Sequence, residues 1–302
     1  MLSKKMLLII NPVSGRNKAR NGLIDLANVF SNNGYIPTVF STRGVGDATE
    51  IVLKHARDFD LVVCRGGDGT FSEILNGLMR IEDRPPVGFV PAGTTNDLAD
   101  TFGISTDPRR AAATVIKENA LTNDIGLFNG RYFTSVATFG FLTESSYATP
   151  QNLKNRVGRL AYFLEATKEV KDIHAMHLRV KSGDFEEEGE YVFGAVSSAF
   201  TIGKIIKLDP RTVSLNDGKF EVFLAKHPGS AAGWRNMLWS VVDRSFDKRY
   251  ITMFQANSIT LESIDGEEIP WSLDGEFGGY QTNVDIKIIE KAYRLFRPRQ
   301  NL

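Results

Sequence analysis

Residues 61–75 read Leu-Val-Val-Cys-Arg-Gly-Gly-Asp-Gly-Thr-Phe-Ser-Glu-Ile-Leu, and this stretch decides the fold of the first part of the chain. The run from Leu61 to Cys64 is short and apolar, which is typical of a buried strand. Three glycines follow at 66, 67 and 69, and apolar residues then recur at helical spacing from Phe71 to Leu78. The stretch therefore predicts a strand, a glycine-rich turn and a helix in direct succession.

The same alternation extends in both directions over the first 125 residues. Strand-like runs at 7–10, 38–40 and 87–90 alternate with helical patterns that begin near 23, at Asp47 and at Asp107. Asp47 and Glu50 form a pair like a capping box, and Pro108 suits the first helical position after an Asp107 cap. This βαβαβαβ order predicts a parallel sheet with helices on both faces, which is a Rossmann-like α/β domain.

The pattern changes after Asp124. Phe128-Asn129-Gly130-Arg131 predicts a hairpin, and one helix is expected over about 157–171. The remaining segments are short, rich in β-formers and separated by turn residues, which predicts a mainly antiparallel β-sandwich. The predicted domains are 1–125 and 126–285, with 286–302 returning to the first domain.

Composition limits the classes of function. Lys plus Arg and Asp plus Glu each total 36, and a formal net charge of zero argues against a protein that coats nucleic acid. The single cysteine, Cys64, permits no internal disulfide and fits a reducing compartment. No stretch reaches the roughly 18 apolar residues of a membrane span. We therefore expect a cytoplasmic protein that binds no nucleic acid and reaches any lipid substrate at the membrane surface.

Three glycine-bearing turns each follow a predicted strand, and they span residues 11–15, 66–70 and 91–97. In an open parallel sheet, ligands bind at the carboxyl ends of the strands, so the three turns should converge on one crevice. Glycine lets the backbone approach phosphate oxygens, and the helix that begins near Thr70 offers unpaired amides to an anion. One such turn would predict only a tight turn, but three together predict a phosphate-binding site.

Polar side chains in these turns have several possible roles. Asp68 could orient a magnesium ion through water, or it could hold its loop by accepting hydrogen bonds from its own backbone amides. Ser14, Thr94, Thr95 and Asn96 add hydroxyl and amide groups where nucleotide phosphates or ribose could lie.

The spacing of these residues resembles a known family. The chain carries Asn11-Pro12-x-Ser14-Gly15, Gly66-Gly67-Asp68-Gly69-Thr70-x-x-Glu73 and Pro91-x-Gly93-Thr94-x-Asn96-Asp97-x-Ala99, followed by Leu208-Asp209-Pro210, Asn216-Asp217-Gly218-Lys219-Phe220 and Asp274-Gly275-Glu276. Together these motifs resemble the diacylglycerol kinase catalytic domain family, which includes soluble bacterial lipid kinases and the sphingosine and ceramide kinases. The Gly-Gly-Asp-Gly-Thr motif also occurs in NAD kinases and phosphofructokinases, but the third and last motifs separate this family from those.

The resemblance implies three sets of site residues. The residues it implies for ATP are Asn11, Pro12, Ser14, Gly15, Thr42, Gly66, Gly67, Asp68, Gly69, Thr70, Glu73, Gly93, Thr94, Asn96 and Asp97. Asp274 or Glu276 would take the proton from the lipid hydroxyl, with Asp68 as a further catalytic residue. Asp217 would hold Mg²⁺ together with backbone oxygens near Ser214 and Lys219, although the residues alone predict only a turn there.

The implied activity is the ATP-dependent transfer of the γ-phosphate to a lipid hydroxyl, with diacylglycerol as the expected acceptor and phosphatidic acid as the product. The enzyme would work as a peripheral protein at the inner face of the membrane, and a homodimer is expected from base rates alone. Two alternatives stay open, namely a soluble kinase that phosphorylates NAD and a nucleotide-binding or lipid-binding regulator without turnover.

One segment has two interpretations. Residues 200–208 alternate apolar side chains with Lys204 and Lys207. Such a segment could insert into an anionic membrane surface, or it could belong to the core of the second domain.

Overall fold

The computed structural model describes residues 3–17, 19, 22–117, 119–140, 174–199, 201–202, 206–207 and 214–299, so the helix expected over 157–171 lies outside the described residues. The chain forms two compact units. The first comprises Met1–Ile125, Arg131–Thr134 and Ile289–Leu302, and the second comprises Gly126–Gly130 and Ser135–Ile288. The units differ from the predicted domains in that 131–134 belong to the first unit and 286–288 to the second.

A parallel sheet forms the centre of the first unit. Its strands are β1 (Lys4–Ile10), β2 (Tyr35–Ser41), β3 (Leu61–Gly66) and β4 (Val87–Pro91). They lie in the order β2-β1-β3-β4, and the end of the last strand of the chain joins the sheet where Leu295 pairs in parallel with Val87. Because β2 follows β1 on one side and β3 lies on the other, the strand order reverses between β1 and β3. A crevice for a ligand is expected at the carboxyl ends of these two strands.

Helices follow the strands of the first unit. They are α1 (Ser14–Asn17), α2 (Leu23–Ser31), α3 (Asp47–His55), α4 (Asp68–Leu78), α5 (Asp97–Phe102) and α6 (Pro108–Lys117), with a short 3₁₀ turn at Ala56–Asp58. Strands β3 and β4 are buried along their whole length, as expected for a parallel sheet covered on both faces. Helix α6 packs so closely on β4 that a Cβ atom at Gly88 would lie 2.7 Å from Val115.

The predicted hairpin joins β5 (Ala120–Phe128) to β6 (Arg131–Phe133). Asn129 and Gly130 both have positive φ values, 43° and 88°, which is the requirement of a type I′ turn. The hairpin prediction is therefore confirmed.

The second unit is built from antiparallel strands. They are β7 (Val136–Gly140), β8 (Met176–Ser182), β9 (Phe185–Ser197), β10 (Thr201–Ile202), β11 (Ile206–Lys207), β12 (Phe220–Lys226), β13 (Ile251–Ala256), β14 (Ser258–Ser263), β15 (Ile269–Leu273), β16 (Glu276–Gln281) and β17 (Asn283–Phe296), which continues into the first unit. The main strand order in this unit is β16-β15-β7-β9-β8-β14-β17, and β12 pairs with both β9 and β13. The long strand β9 pairs with β8 through its first half and with β7 and β12 through its second half.

One helix of the second unit, α7 (Ala231–Val242), has no counterpart in the sequence-based prediction. It covers β9 and β12 through Trp234 and Met237, which join a buried cluster with Phe193 and Phe223. Its Ser230 cap and its apolar residues at 234, 237, 238 and 241 are a helical signal that the sequence already contained. The predicted fold class, an α/β domain followed by a mainly antiparallel β domain, is confirmed.

Candidate active site

The three glycine-bearing turns lie together at the carboxyl ends of β1, β3 and β4. The side-chain amide of Asn11 donates to the hydroxyl of Thr70 at 2.9 Å, and the backbone amide of Gly67 donates to the hydroxyl of Ser14 at 3.2 Å. These two hydrogen bonds join the first turn to the second. The crevice therefore lies at the reversal of strand order, as the topology requires.

Close backbone contacts join the second and third turns. A Cβ atom at Gly93 would lie 2.8 Å from the Cα atom of Gly67 and 2.9 Å from Asn96 Oδ1. Gly15 has a φ of 58°, and a Cβ atom there would overlap the carbonyl oxygen of Ala92. Glycine is required at these positions because the nearest atoms, the Cα of Gly67 and the carbonyl oxygen of Ala92, belong to the backbone and cannot move aside.

Asp68 begins helix α4, but its carboxylate serves helix α5. Its Oδ2 accepts a hydrogen bond from the amide of Asp97 at 2.9 Å, and its Oδ1 accepts one from the amide of Leu98 at 3.2 Å. Burial raises the pKa of Asp68, whereas these backbone hydrogen bonds oppose that shift. Asp68 thus accepts hydrogen bonds from the amides of the next turn rather than from its own loop, and its role toward magnesium stays a prediction.

The remaining polar groups of the third turn differ in exposure. Thr94 and Thr95 are exposed to solvent, whereas Asn96 is partly buried in a left-handed conformation with a φ of 51°. The side-chain amide of Asn96 donates to the carbonyl oxygen of Gly93 at 3.2 Å. The Thr95 hydroxyl donates to Asp68 Oδ2 at 3.4 Å. Thr94 is therefore exposed at the surface of the turn, and Asn96 shapes the turn.

Glu73 has a structural role that the sequence did not reveal. Its carboxylate accepts hydrogen bonds from the backbone amides of Gly46 at 2.9 Å and Ala48 at 3.2 Å, which lie at the start of α3. The expected capping box of Asp47 and Glu50 is wrong, because Gly46 occupies the cap position and makes no side-chain cap. Glu73 supplies the missing acceptor from another helix.

Thr42 lies directly after β2. Its amide donates to the carbonyl oxygen of Ile10 at 2.8 Å, and the residue is buried. This hydrogen bond fixes the loop after β2 beside the end of β1.

Arg65 is a site residue that sequence reasoning missed. It is 3% exposed at the end of β3, directly before the glycines of the second turn. Its Nη1 donates to the carbonyl oxygen of Pro91 at 2.9 Å, and burial lowers its pKa. The sequence did contain a signal for this residue, namely a cationic side chain in an otherwise apolar strand. Through its hydrogen bond to Pro91, Arg65 places a positive charge beside the second and third turns.

In the second unit, Asp274 and Gly275 form the turn between β15 and β16, with positive φ values of 52° and 85°. Asp274 Oδ1 accepts hydrogen bonds from the backbone amides of Ser135 at 2.7 Å and Val136 at 3.1 Å. The Asp274 amide in turn donates to the carbonyl oxygen of Val136 at 2.9 Å. The carboxylate of Asp274 is therefore held in a fixed orientation, whereas Glu276 is exposed at the start of β16.

The turn predicted to hold a metal is also in the second unit. Asp217 Oδ1 accepts a hydrogen bond from the amide of Lys219 at 3.2 Å, and the hydroxyl of Ser214 donates to Asn216 Oδ1 at 3.1 Å. Within the residues that the structure describes, no three His, Cys, Asp or Glu side chains are grouped so that they could hold a metal ion. Any cation bound here would therefore need backbone oxygens beside Asp217.

The segment 200–208 is described only in part. Ile206 is 2% exposed and packs in the cluster with Phe193 and Phe223, which favours the core interpretation at this position. Among the described residues, no helix is both long enough and apolar enough to cross a bilayer.

Comparison with known proteins identifies the family. The diacylglycerol kinase catalytic domain family matches residues 5–128, which include all three turns. A diacylglycerol kinase of Bacillus subtilis (strain 168) is 34% identical over 278 residues, with 91% of each chain covered. The chain belongs to the diacylglycerol kinase catalytic domain family. It is therefore a kinase of the lipid-kinase class.

Further relatives extend this result over both units. A diacylglycerol kinase of Staphylococcus haemolyticus (strain JCSC1435) is 30% identical over 275 residues, covering 90% of this chain and 82% of the relative. The crystal structure of a candidate diacylglycerol kinase from Bacillus anthracis str. Sterne has a TM-score of 0.82 at 25% identity and covers 99% of this chain and 98% of its own. The diacylglycerol kinase likeness thus includes the antiparallel second unit.

Proposed function

We propose that this member of the diacylglycerol kinase family transfers the γ-phosphate of ATP to the free hydroxyl of diacylglycerol, forming phosphatidic acid at the membrane surface. The observation that carries the proposal is the cluster of three glycine-bearing turns, in a chain that matches diacylglycerol kinases over about nine-tenths of its length. A phosphate site alone would fit many kinases, but the similarity across the second unit favours a lipid acceptor.

The phosphates of ATP would lie against the second turn. Helix α4 is 11 residues long and begins directly after β3, so its first backbone amides, from Asp68 to Thr70, lie at the carboxyl end of that strand. Unpaired amides and the positive end of the helix dipole favour an anion at this position. The buried guanidinium of Arg65 adds a positive charge below the turn. Exposed Thr94 would complete the phosphate contacts from the third turn.

Magnesium would be needed to neutralise the charge that moves with the phosphoryl group. Asp68 fits an indirect role. Its Oδ1 accepts one amide hydrogen bond, and its Oδ2 accepts one amide and the longer bond from the Thr95 hydroxyl, so acceptor capacity remains that could orient a water molecule of the ion. The oxygen donors around Asp217 fit a second ion of hard character. Both assignments are proposals from the donor chemistry.

Asp274 is the proposed proton acceptor. A general base must be held within hydrogen-bond reach of the hydroxyl, and Asp274 is the carboxylate of the Asp-Gly-Glu turn whose orientation is fixed by two backbone amides. Exposed Glu276 would then contact the lipid or orient the turn. Phosphoryl transfer itself depends on positioning and charge neutralisation, so a fixed acceptor suits the reaction.

The test is transfer of labelled γ-phosphate from ATP and magnesium to diacylglycerol in mixed micelles, beside a parallel reaction with NAD. We expect labelled phosphatidic acid and no labelled NADP. Label in NADP would favour the soluble-kinase alternative. Tight ATP binding without any labelled product would favour the regulator. Sedimentation with lipid vesicles and light scattering would examine the proposed bilayer contact and the expected homodimer.

A further inference from the structure

A buried serine lies at the end of β9, beside the start of β7, whose backbone holds Asp274. Ser197 is 0% exposed, and it pairs with Val136 where the two strands run antiparallel. A hydroxyl in such a position needs hydrogen-bond partners, because an unpaired buried polar group destabilises the fold. The partners of Ser197 therefore show what this side chain does in the second unit.

The Ser197 hydroxyl directs its proton toward Ser135. Its Oγ accepts a hydrogen bond from the backbone amide of Ala199 at 3.0 Å. The same Oγ lies 3.1 Å from the carbonyl oxygen of Ser135 and 3.4 Å from that of Ala199. A serine hydroxyl has one proton to donate, so the shorter distance identifies the Ser135 carbonyl as its principal acceptor.

One peptide group joins this serine to the carboxylate. The carbonyl oxygen of Ser135 and the amide of Val136 belong to the same planar peptide unit. The oxygen accepts hydrogen bonds from the Ser197 hydroxyl and from the amide of Ser198, the latter at 2.9 Å. The amide donates to Asp274 Oδ1 at 3.1 Å. Ser197 therefore reaches Asp274 through two hydrogen bonds and the peptide group between them.

Hydrogen bonds at one end of a peptide group strengthen those at its other end. Donors that approach the carbonyl oxygen draw electron density toward it, so the amide proton becomes a better donor. The two donors at Ser135 thus favour the hydrogen bond from Val136 to the carboxylate, and they keep the peptide plane from rotating. This effect is greater where water is excluded, and Ser135 and Ser198 are only 9% and 5% exposed.

We propose that Ser197 is a positioning residue for Asp274, which it holds in the orientation needed to accept the proton of the lipid hydroxyl. The proposal rests on the proposed function, because it takes Asp274 as the proton acceptor. As the hydroxyl oxygen forms its bond to the γ-phosphorus, the bond from that phosphorus to the bridging oxygen of ADP breaks and the proton passes to the carboxylate. Ser197 acts on this step through the peptide group and not by contact with either substrate.

The experiment introduces Ser197→Ala into wild type and into the Asp274→Asn variant, and it measures steady-state kinetics with dioleoylglycerol in mixed micelles. In wild type we expect kcat to fall about tenfold, because small displacements of a reacting group cost at least this much, with both KM values within about twofold. In Asp274→Asn there is no acceptor left to position. The same substitution should therefore change kcat by less than about twofold in that background.

Two further variants separate positioning from stability. Ser240→Ala removes another buried hydroxyl of the second unit, which donates to the carbonyl oxygen of Met237 at 2.7 Å, and it should keep the wild-type kcat whatever its thermal stability. Ser197→Cys keeps a side chain of similar shape that is only a weak donor, so it provides the test if the alanine variant does not fold. Its kcat should fall by about threefold.

An unchanged kcat in folded Ser197→Ala or Ser197→Cys would overturn the inference. A fall of the same size in the wild-type and Asp274→Asn backgrounds would also overturn it, because Ser197 would then not act through Asp274. The parent proteins test the proposed function separately. If wild type forms no phosphatidic acid, the assigned activity has failed, and if Asp274→Asn keeps the wild-type kcat, the assigned acceptor has failed; the inference falls with either.

Discussion

Asp68 in the first unit and Asp274 in the second unit each accept hydrogen bonds from two consecutive backbone amides of a distant segment. Asp68 commits one oxygen to each amide at the start of α5. Asp274 accepts both amides of residues 135–136 on its Oδ1. The first carboxylate therefore binds its two amides with separate oxygens, whereas the second binds both of its amides with the same oxygen.

This difference separates two ways of building a site. The first unit forms its crevice from glycines, backbone amides and the buried charge of Arg65, and its acidic side chains mainly hold the turns in place. The second unit presents the oriented carboxylate of Asp274 on a tight hairpin. Substitutions in the turns of the first unit should therefore reduce ATP affinity and stability. Substitution of Asp274 in the second unit should instead reduce the rate of phosphoryl transfer.

The largest effect is expected from Asp274→Asn. The asparagine oxygen can still accept both backbone amides, so the fold should be retained, but the proton acceptor is lost. We expect kcat for lipid phosphorylation to fall by about 10²–10⁴-fold with ATP affinity unchanged. Glu276→Gln is the matched control and should lower kcat by less than about tenfold. A greater loss in Glu276→Gln than in Asp274→Asn would transfer the acceptor role to Glu276.

The next effect concerns the close contact of two turns. Gly93→Ala would place a methyl group 2.8 Å from the Cα atom of Gly67, and overpacking of this kind costs about 1–3 kcal/mol of stability. We expect lower thermal stability and weaker ATP binding. In the control Gly44→Ala the added methyl group meets no atom within 4 Å, and stability should be nearly unchanged. Equal thermal stabilities of Gly93→Ala and Gly44→Ala in calorimetry would contradict the close contact of Gly93 with Gly67.

Arg65→Met tests the charge below the turns. A buried positive charge near the phosphates favours the nucleotide with the greater negative charge. ATP affinity should therefore fall by about tenfold, which equals about 1.4 kcal/mol, and ADP affinity should fall by less. Arg297→Met is the control, because Arg297 is also buried in the first unit but donates to Asn123 Oδ1. Titration calorimetry should show a phosphate-dependent loss for Arg65→Met alone. Equal losses for ATP and ADP would indicate a purely structural role.

Glu73→Gln should affect stability and leave ATP binding unchanged. Its carboxylate caps α3, and loss of such a cap costs about 0.5–2 kcal/mol. Denaturant unfolding would measure this loss. Exposed Glu50 on the same helix provides the control, and Glu50→Gln should change stability by less than about 0.5 kcal/mol. If Glu73→Gln instead raises the KM for ATP and leaves stability unchanged, the result would support a role of Glu73 in nucleotide binding.

The smallest effect is the pH dependence of Asp68. Because burial raises its folded-state pKa above the unfolded value of about 3.9, the folded protein holds this proton more tightly. The stabilisation is complete below the unfolded pKa and is lost as the pH rises through the folded pKa. The free energy of unfolding of wild type, relative to Asp68→Asn, should therefore fall as the pH increases above about 4. A rise over the same range would show that the amide hydrogen bonds outweigh burial.

Local patterns accounted for much of the fold. The helix α7 was missed although its apolar residues have helical spacing, because the surrounding segments favoured strands. The hairpin at Asn129-Gly130 was found because a type I′ turn has strong residue requirements at both positions. The capping box at Asp47 was wrong, because the cap of α3 comes from Glu73, 25 residues beyond Ala48.

The sequence by itself determined the alternation of strands and helices in the first unit, the three glycine-bearing turns, the Asp-Gly-Glu turn and the family. These depend on short spacings and on residues with special backbone freedom, which are local properties of the chain. Only the tertiary structure decided the partners of the charged side chains, because packing brings together groups such as Asp68 and Leu98 that lie 30 residues apart. It also decided which carboxylate caps α3, since Glu73 reaches the amides of Gly46 and Ala48 from another helix.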